Sequence, residues 1–287
     1  MIPNVFEYHS PSTLDEAIKL LAEYDEAKLF AGGHSLLPMM KLRFAEPTHL
    51  IDINGIEELR GIREENGLIK IGAMMTENEL IASSVITEKC PLISDAAKLI
   101  GDPQVRNCGT IGGDVVHGDP GNDHPSIMMA LDANFVIHGI EGKREVAANG
   151  FFLGTYWTGL EEGEVLVEIH VPTLKKGMGY GFNKLKRKTG DFATAASVVV
   201  LELTNNICSS IRIVLTNVAP MSIRAEQAEE LLTGQEITEP LINQAMLMVM
   251  EACDPAEDLR GDEEYKRNMA AEMTRRSIHD ALARARG

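Results

Sequence analysis

The stretch Leu29-Phe30-Ala31-Gly32-Gly33-His34-Ser35-Leu36-Leu37-Pro38 runs from a short apolar segment through two glycines into residues that favour a helix. Glycine lets backbone N–H groups approach an anion closely, and a helix beginning just beyond adds positive potential. The spacing predicts a helix over 36–43, in which Pro38 is tolerated because it falls in the first turn. Upstream, Thr13-Leu14-Asp15-Glu16 has the form of a capping box, and Leu14, Ala17, Ile18 and Leu21 follow at helical spacing. Downstream, residues 49–53 read as a strand. The result is a strand–glycine turn–helix–strand unit, the ordinary material of an α/β domain.

Eighty residues on lies a second pair, Thr110-Ile111-Gly112-Gly113-Asp114. It sits in a stretch, 109–123, whose glycines and aspartates predict irregular structure. Two such loops facing each other could hold both phosphates of a dinucleotide. Neither is G-x-G-x-x-G and neither continues into Gly-Lys-Ser/Thr, so the common nucleotide fingerprints are absent. Taken singly, each pair is better explained as a structural turn. Between them, residues 68–73 alternate as a strand, Thr76-Glu77-Asn78-Glu79 is a second capping box opening a helix through Leu80 and Ile81, and 91–100 reads as another helix. Residues 135–138 and 165–171 read as strands. After Lys175-Lys176-Gly177, runs 195–203 and 207–215 predict a hairpin around Asn205-Asn206, followed by helices over 224–232, 241–253 and 263–285. The changes of texture divide the chain into 1–55, 56–175 and 176–287.

The 287 residues carry 43 acidic against 27 basic side chains, a formal charge of −16. That balance argues against nucleic-acid or anionic-membrane partners, which need a concentrated basic face. No apolar run approaches the ~20 residues of a membrane span. The start, Met-Ile-Pro-Asn-Val-Phe-Glu, lacks the pattern of a signal peptide, so the chain reads as cytoplasmic. Cys90, Cys108, Cys208 and Cys253 lie far apart, with neither zinc spacing nor the clustered thiols of most iron–sulfur centres. If the protein handles electrons, an organic cofactor must carry them.

Two further stretches bear polar chemistry. His117-Gly118-Asp119-Pro120-Gly121-Asn122-Asp123-His124-Pro125 suggests a metal site, and a metal-dependent hydrolase built on it would bind metal. The spacing matches no standard site and the prolines stiffen the loop, so no metal is assigned. Asp123 could instead cap a helix over 126–131, or accept hydrogen bonds from ligand hydroxyls such as a ribityl chain. Lys184-Leu185-Lys186-Arg187-Lys188-Thr189-Gly190-Asp191-Phe192 holds four bases in five residues. It reads as a solvated strand edge, as a partner docking surface, or as a lysine near electron-rich cofactor atoms with Phe192 laid on a flat ring. No G-x-S-x-G elbow is present, and no residue is assigned as catalytic.

Together these features form a pattern. Residues 31–38, the Thr110-Ile111-Gly112-Gly113 loop and residues 184–196 occur in this order in the FAD-binding medium subunits of the molybdenum hydroxylases, which the chain resembles. The likeness is greatest to the aerobic carbon monoxide dehydrogenase branch. It runs from Met1-Ile2-Pro3 to the C-terminal helix and includes Leu215-Thr216-Asn217-Val218-Ala219. The resemblance implies an α+β flavoprotein of three parts: a small α/β N-terminal unit, a larger α+β middle unit of the PCMH-type FAD-binding fold, and a C-terminal antiparallel sheet with helices. FAD would lie between the first two.

By motif match, Ala31, Gly32, Gly33, His34 and Ser35, with Thr110, Gly112, Gly113 and Asp114, would cradle the pyrophosphate. Asp123 would hold the ribityl or pyrophosphate region, Ala73 and Leu160 would sit near the cofactor, Lys184 near the isoalloxazine and Phe192 near its face. The resemblance further implies an electron-transfer subunit of an oxidoreductase. A large subunit would carry the molybdopterin centre, a small subunit two [2Fe–2S] clusters, and the whole would be a dimer of heterotrimers with a quinone-type acceptor and room for peripheral membrane association. The rival substrates are aza-aromatics such as nicotine or caffeine; a rival of another class is a non-redox binding or scaffold protein of the same fold. Two residues depart from the family pattern: Asp114 stands where Asn is more frequent, and Phe192 where Tyr is.

Overall fold

The computed structural model describes residues 2–287; Met1, where the resemblance begins, lies outside them. The N-terminal part comprises β1 (Glu7–His9), α1 (Leu14–Glu23), β2 (Ala27–Phe30), α2 (Leu36–Leu42) and β3 (His49–Asp52). Its three strands form a parallel sheet in the order β1-β3-β2. Thr13 caps α1 by accepting from Glu16 N–H, but the Glu16 carboxylate reaches Ser12 N–H instead of closing the box on Thr13.

The middle part opens with β4 (Ile62–Glu65) and β5 (Leu68–Gly72), followed by α3 (Glu77–Ala82), α4 (Ser84–Lys89), α5 (Pro91–Ala97), α6 (Pro103–Arg106), α7 (Ile111–His117) and α8 (Asp123–Ala130). It closes with β6 (Asn134–Gly139), β7 (Gly142–Ala147), β8 (Phe152–Gly154), β9 (Trp157–Thr158) and β10 (Val165–Pro172). Five strands pair antiparallel as β4-β5-β10-β6-β7. Phe135, Phe151 and Phe152 pack edge to face beneath this sheet, the geometry favoured by ring quadrupoles.

The C-terminal part consists of β11 (Met178–Leu185), β12 (Ala195–Thr204), β13 (Ile207–Thr216), β14 (Ile223–Arg224), α9 (Glu226–Leu232), α10 (Glu239–Ala252) and α11 (Glu263–Arg286). The antiparallel sheet β11-β12-β13-β14 turns at Asn205-Asn206, both with positive φ as the tight hairpin requires. Residues 195–201 of β12 are buried without alternation because both faces of the sheet are covered. Val198, Val200 and Val214 pack into the core of the middle part, while Val199, Leu201 and Ile213 pack against α9–α11. Tyr180 donates to Asp95 of α5, and Thr216 to Ser126 of α8.

Two further sequence expectations fail, both near the second glycine pair. Residues 111–117 are helical, not irregular: Thr110 caps α7 by accepting from Gly113 N–H, and Gly118 ends it in the left-handed region at φ 64°. Asp123 does not cap a helix over 126–131. The helix already begins at Asp123, Asn122 takes the cap position, and Asp123 Oδ2 accepts from Lys184.

Candidate functional site

A cleft of about 560 Å³ opens where the three parts meet, and all fourteen residues singled out in the sequence line it: Ala31, Gly32, Gly33, His34, Ser35, Ala73, Thr110, Gly112, Gly113, Asp114, Asp123, Leu160, Lys184 and Phe192. One wall is the turn between β2 and α2. Gly33 takes φ 71°, a conformation that side-chain-bearing residues rarely adopt, and Gly32 lies so close to the other wall that a Cβ would meet Cys108 O at 2.3 Å. The backbone N–H groups of Gly32, Gly33, His34 and Ser35 donate to nothing among the described residues. Successive free N–H groups around a left-handed residue form a concave nest for an anion.

The opposite wall is the turn after β5 together with α7. Ile111 N–H donates to Met75 O, Gly112 N–H to Ala73 O at 2.9 Å, Gly113 N–H to the Thr110 hydroxyl oxygen, and Asp114 N–H to Thr110 O. The second glycine pair has therefore spent its backbone donors on the fold. Gly112 is glycine for packing, since its Cβ would fall 2.6 Å from Ala73 O. Gly113 is exposed, and a Cβ there would meet only the Thr110 hydroxyl oxygen. This contact between α7 and the β5 turn is what brings Ala73 to the cleft.

Behind that wall lies a buried cluster of ions. Glu77 and His124 are both buried and paired through His124 Nε2, at 2.9 and 3.1 Å from the two carboxylate oxygens. Burial pulls the His124 pKa down, but the Glu77 carboxylate overrides it and holds the imidazole up at about 9. Lys184 Nζ donates to Asp123 Oδ2 at 2.5 Å, with both side chains only 3% exposed. Lys184 is thus a buried counter-ion rather than part of a solvated basic edge. Burial holds the Asp123 carboxyl above the usual carboxylate range, although Lys184 draws it down. Its second oxygen, Oδ1, is buried with no partner among the described residues, a costly arrangement unless something donates to it. Asp114 accepts from His124 N–H through Oδ2, and burial pushes its carboxyl up to about 7.

At the mouth, Phe192 is 45% exposed, lies against Gly121, and carries Arg260 over its ring at 5.9 Å. Arg260 also pairs with Asp191, which pairs in turn with Arg187. Sequence reasoning missed Glu77, Asn122, Gly121 and Tyr156 as cleft residues. Asn122 adjoins Asp123 and donates to Asp114 O. Tyr156 donates to Asp119 and tilts against His117. Nothing in the spacing announces Glu77, 47 residues from its partner. His117 and Asp119 do not join a ligand set; no group of three His, Cys, Asp or Glu among the described residues is arranged to hold a metal.

A free backbone nest, an unpartnered carboxylate oxygen and an aromatic at the mouth define a site for an anionic ligand that also carries hydroxyls and a flat ring. Residues 4–174 match the family described as the FAD binding domain in molybdopterin dehydrogenase, and residues 180–281 match the CO dehydrogenase flavoprotein C-terminal domain. The chain belongs to the FAD-binding flavoprotein subunits of the molybdopterin dehydrogenases. It is 56% identical over 285 residues to the carbon monoxide dehydrogenase medium chain of Hydrogenophaga pseudoflava, covering 99% of both chains. To the medium chain of Afipia carboxidovorans it is 45% identical, covering 100% of both. A solved structure of carbon monoxide dehydrogenase from Hydrogenophaga pseudoflava superposes with a TM-score of 0.98 at 57% identity over 99% of each chain. A nicotine 6-hydroxylase medium subunit from Paenarthrobacter nicotinovorans is more distant, at 31% identity over 96% of this chain and 97% of its own.

Proposed function

We propose that this chain is the FAD-carrying electron-transfer subunit of an aerobic carbon monoxide dehydrogenase. The observation that carries the cofactor reading is the row of four free N–H groups at 32–35, a cradle facing the unpartnered Asp123 Oδ1 wall. These residues fit a flavin dinucleotide. Gly32, Gly33, His34 and Ser35 would hold the pyrophosphate through their backbones, with Thr110 and Asp114 contributing side chains and Gly112 and Gly113 leaving room. Asp123 Oδ1 would accept from a ribityl hydroxyl while Lys184 keeps that carboxylate charged and fixed. Ala73 and Leu160 would line the cofactor's apolar edge, and Lys184 and Phe192 would stand nearest the ring. Bound FAD would supply the acceptor for electrons delivered singly and passed on to a quinone-type acceptor.

The chain's own thiols are unsuited to redox work. Cys90, Cys208 and Cys253 are buried, with pKa values pushed up to about 12, 11 and 12, and Cys108 stands alone. Substrate chemistry therefore belongs to partners: a large subunit with the molybdopterin centre that takes CO and water to CO₂, two protons and two electrons, and a small subunit with [2Fe–2S] clusters, arranged as a dimer of heterotrimers. The full-length identities to two carbon monoxide dehydrogenase medium chains support CO over an aza-aromatic substrate. We take 1–55, 56–175 and 176–287 as the three units and the cytoplasm as the location, with the complex free to sit peripherally on a membrane. No helix among the described residues is long and apolar enough to cross one.

The test is an anaerobic visible spectrum of the native complex isolated through this chain, before and after CO. Flavin bands that bleach with CO are expected. Flavin bands indifferent to CO would move the substrate to another hydroxylase, and a colourless complex that takes up no added FAD would overturn the cofactor reading.

A further inference from the structure

The cluster beside the cleft holds three carboxyls, the buried Glu77 and Asp123 and the half-buried Asp114, against two cations, His124 and Lys184. Glu77 has both oxygens on His124, and Asp123 has Oδ2 on Lys184. Asp114 has no cation of its own among the described residues and only shares the field of His124. Its Oδ2 accepts one backbone N–H, from His124, and no hydrogen bond within the described residues reaches Oδ1, although the residue lines the cleft. The groups that face it are Glu77 from α3, Asp123 and His124 from α8, and Lys184 from β11 through Asp123. On its own helix stands His117, whose pKa burial lowers. Lys28 and His34 line the wall across the cleft. A cluster of this composition is neutral only when one carboxyl keeps its proton, and ionising the odd acid would place unpaired charge on a half-buried wall against two other carboxyls.

We propose that Asp114 serves the cleft as a neutral carboxylic acid, its hydroxyl donating to a pyrophosphate oxygen of the bound cofactor. This rests on the flavin reading above and adds a proton to it. The second wall has spent the N–H groups of residues 111–114 on the fold, so an Asp114 hydroxyl, with that of Thr110, gives it donors the backbone no longer offers. An O–H to phosphate bond is charge-assisted and short, whereas an ionised Asp114 would face phosphate as a like charge. Burial already pushes this carboxyl up to about 7, and a pyrophosphate beside it pushes in the same direction. Cofactor binding is therefore coupled to holding one proton. Affinity is constant below about pH 7 and falls about tenfold per pH unit above it, until the pKa of the loaded site is reached.

The experiment titrates FAD into the assembled complex, isolated through this chain and stripped of flavin, following flavin fluorescence from about pH 6 to about pH 8.5, below the titration of His124 near 9. The unaltered complex should lose about tenfold in affinity per unit across the upper half of that range. Asp114→Asn, the same shape with a permanent amide donor, should bind FAD with no such slope and more tightly at the alkaline end. The infrared band of a protonated carboxyl should be present in the unaltered complex and missing in the variant. A flat profile in the unaltered complex, or an unchanged slope in Asp114→Asn, overturns the proposal while leaving the flavin reading intact. FAD that binds at no pH in either overturns the flavin reading itself.

Discussion

The glycine pair at 32–33 and the pair at 112–113 look alike in sequence and do different work. Around the first pair, four consecutive N–H groups have no acceptor among the described residues and Gly33 is held left-handed, so the backbone itself offers the donors. Around the second, every N–H from Ile111 to Asp114 is already taken. Gly112 is there so that α7 can pack on the β5 turn. The second wall must bind through side chains, and those side chains are anchored by the Glu77–His124 and Asp123–Lys184 pairs. A neutral wall made of backbone thus faces a wall whose donors depend on buried charge.

Five substitutions can break or sharpen this contrast. The largest effect is expected at the charged wall. Lys184→Met leaves Asp123 buried without its cation, which typically costs about 3–5 kcal/mol. The carboxyl escapes by staying protonated, so its folded pKa rises far above the unfolded value of about 4. The deficit is then small near pH 4 and grows as pH rises through that window, because only the unfolded chain releases the proton. Chemical denaturation of the complex at about pH 5 and about pH 8 should show the gap widen, and adding Asp123→Asn should close most of it. A gap independent of pH would mean that the pair is not the anchor.

The backbone wall should fail differently. Gly32→Val drives a side chain into Cys108 O, and since backbone cannot step aside it should cost about 3 kcal/mol and empty the complex of flavin. Gly112→Val meets Ala73 O and should likewise cost stability, so any flavin loss there follows from disturbed packing. Gly113→Ala is the discriminating change. Its Cβ meets only the Thr110 hydroxyl oxygen, so stability should fall by about 1 kcal/mol or less, while flavin retention drops because the cleft floor is raised. Parallel thermal melts and flavin stoichiometry separate the two effects. The smallest change belongs to the mouth. Arg260→Ala removes a partly exposed ion pair and a cation on Phe192, worth about 1 kcal/mol or less. It should alter flavin fluorescence in the complex more than its melting temperature.

Much of this arrangement was legible in the sequence because it is local. The turn at 31–35, the Thr76 capping box with its reciprocal Glu79 bond, and the Asn205-Asn206 hairpin each follow from a few adjacent residues. The errors came where long-range contacts decide. Gly112-Gly113 disguised α7, whose cap at Thr110 and stop at Gly118 were both visible, because two glycines near a helix start normally argue for a turn. The basic run at 184–188 reads as a solvated edge, a docking surface or a lysine at a cofactor, and only Asp123, 61 residues away, shows that Lys184 is buried. Whether a glycine N–H is free or spent depends on where Ala73 O and Met75 O lie, and no spacing within 109–123 encodes that.

The central claim is that the two glycine turns divide the labour, the first binding through backbone and the second through side chains. The most direct measurement is a map of the flavin-loaded complex fine enough to place the pyrophosphate. It should show phosphate oxygens within hydrogen-bond distance of N–H groups among Gly32 to Ser35, with Gly112 N–H still on Ala73 O. A pyrophosphate bound instead by the N–H groups of Gly112 and Gly113, with the bond to Ala73 O broken, would contradict it.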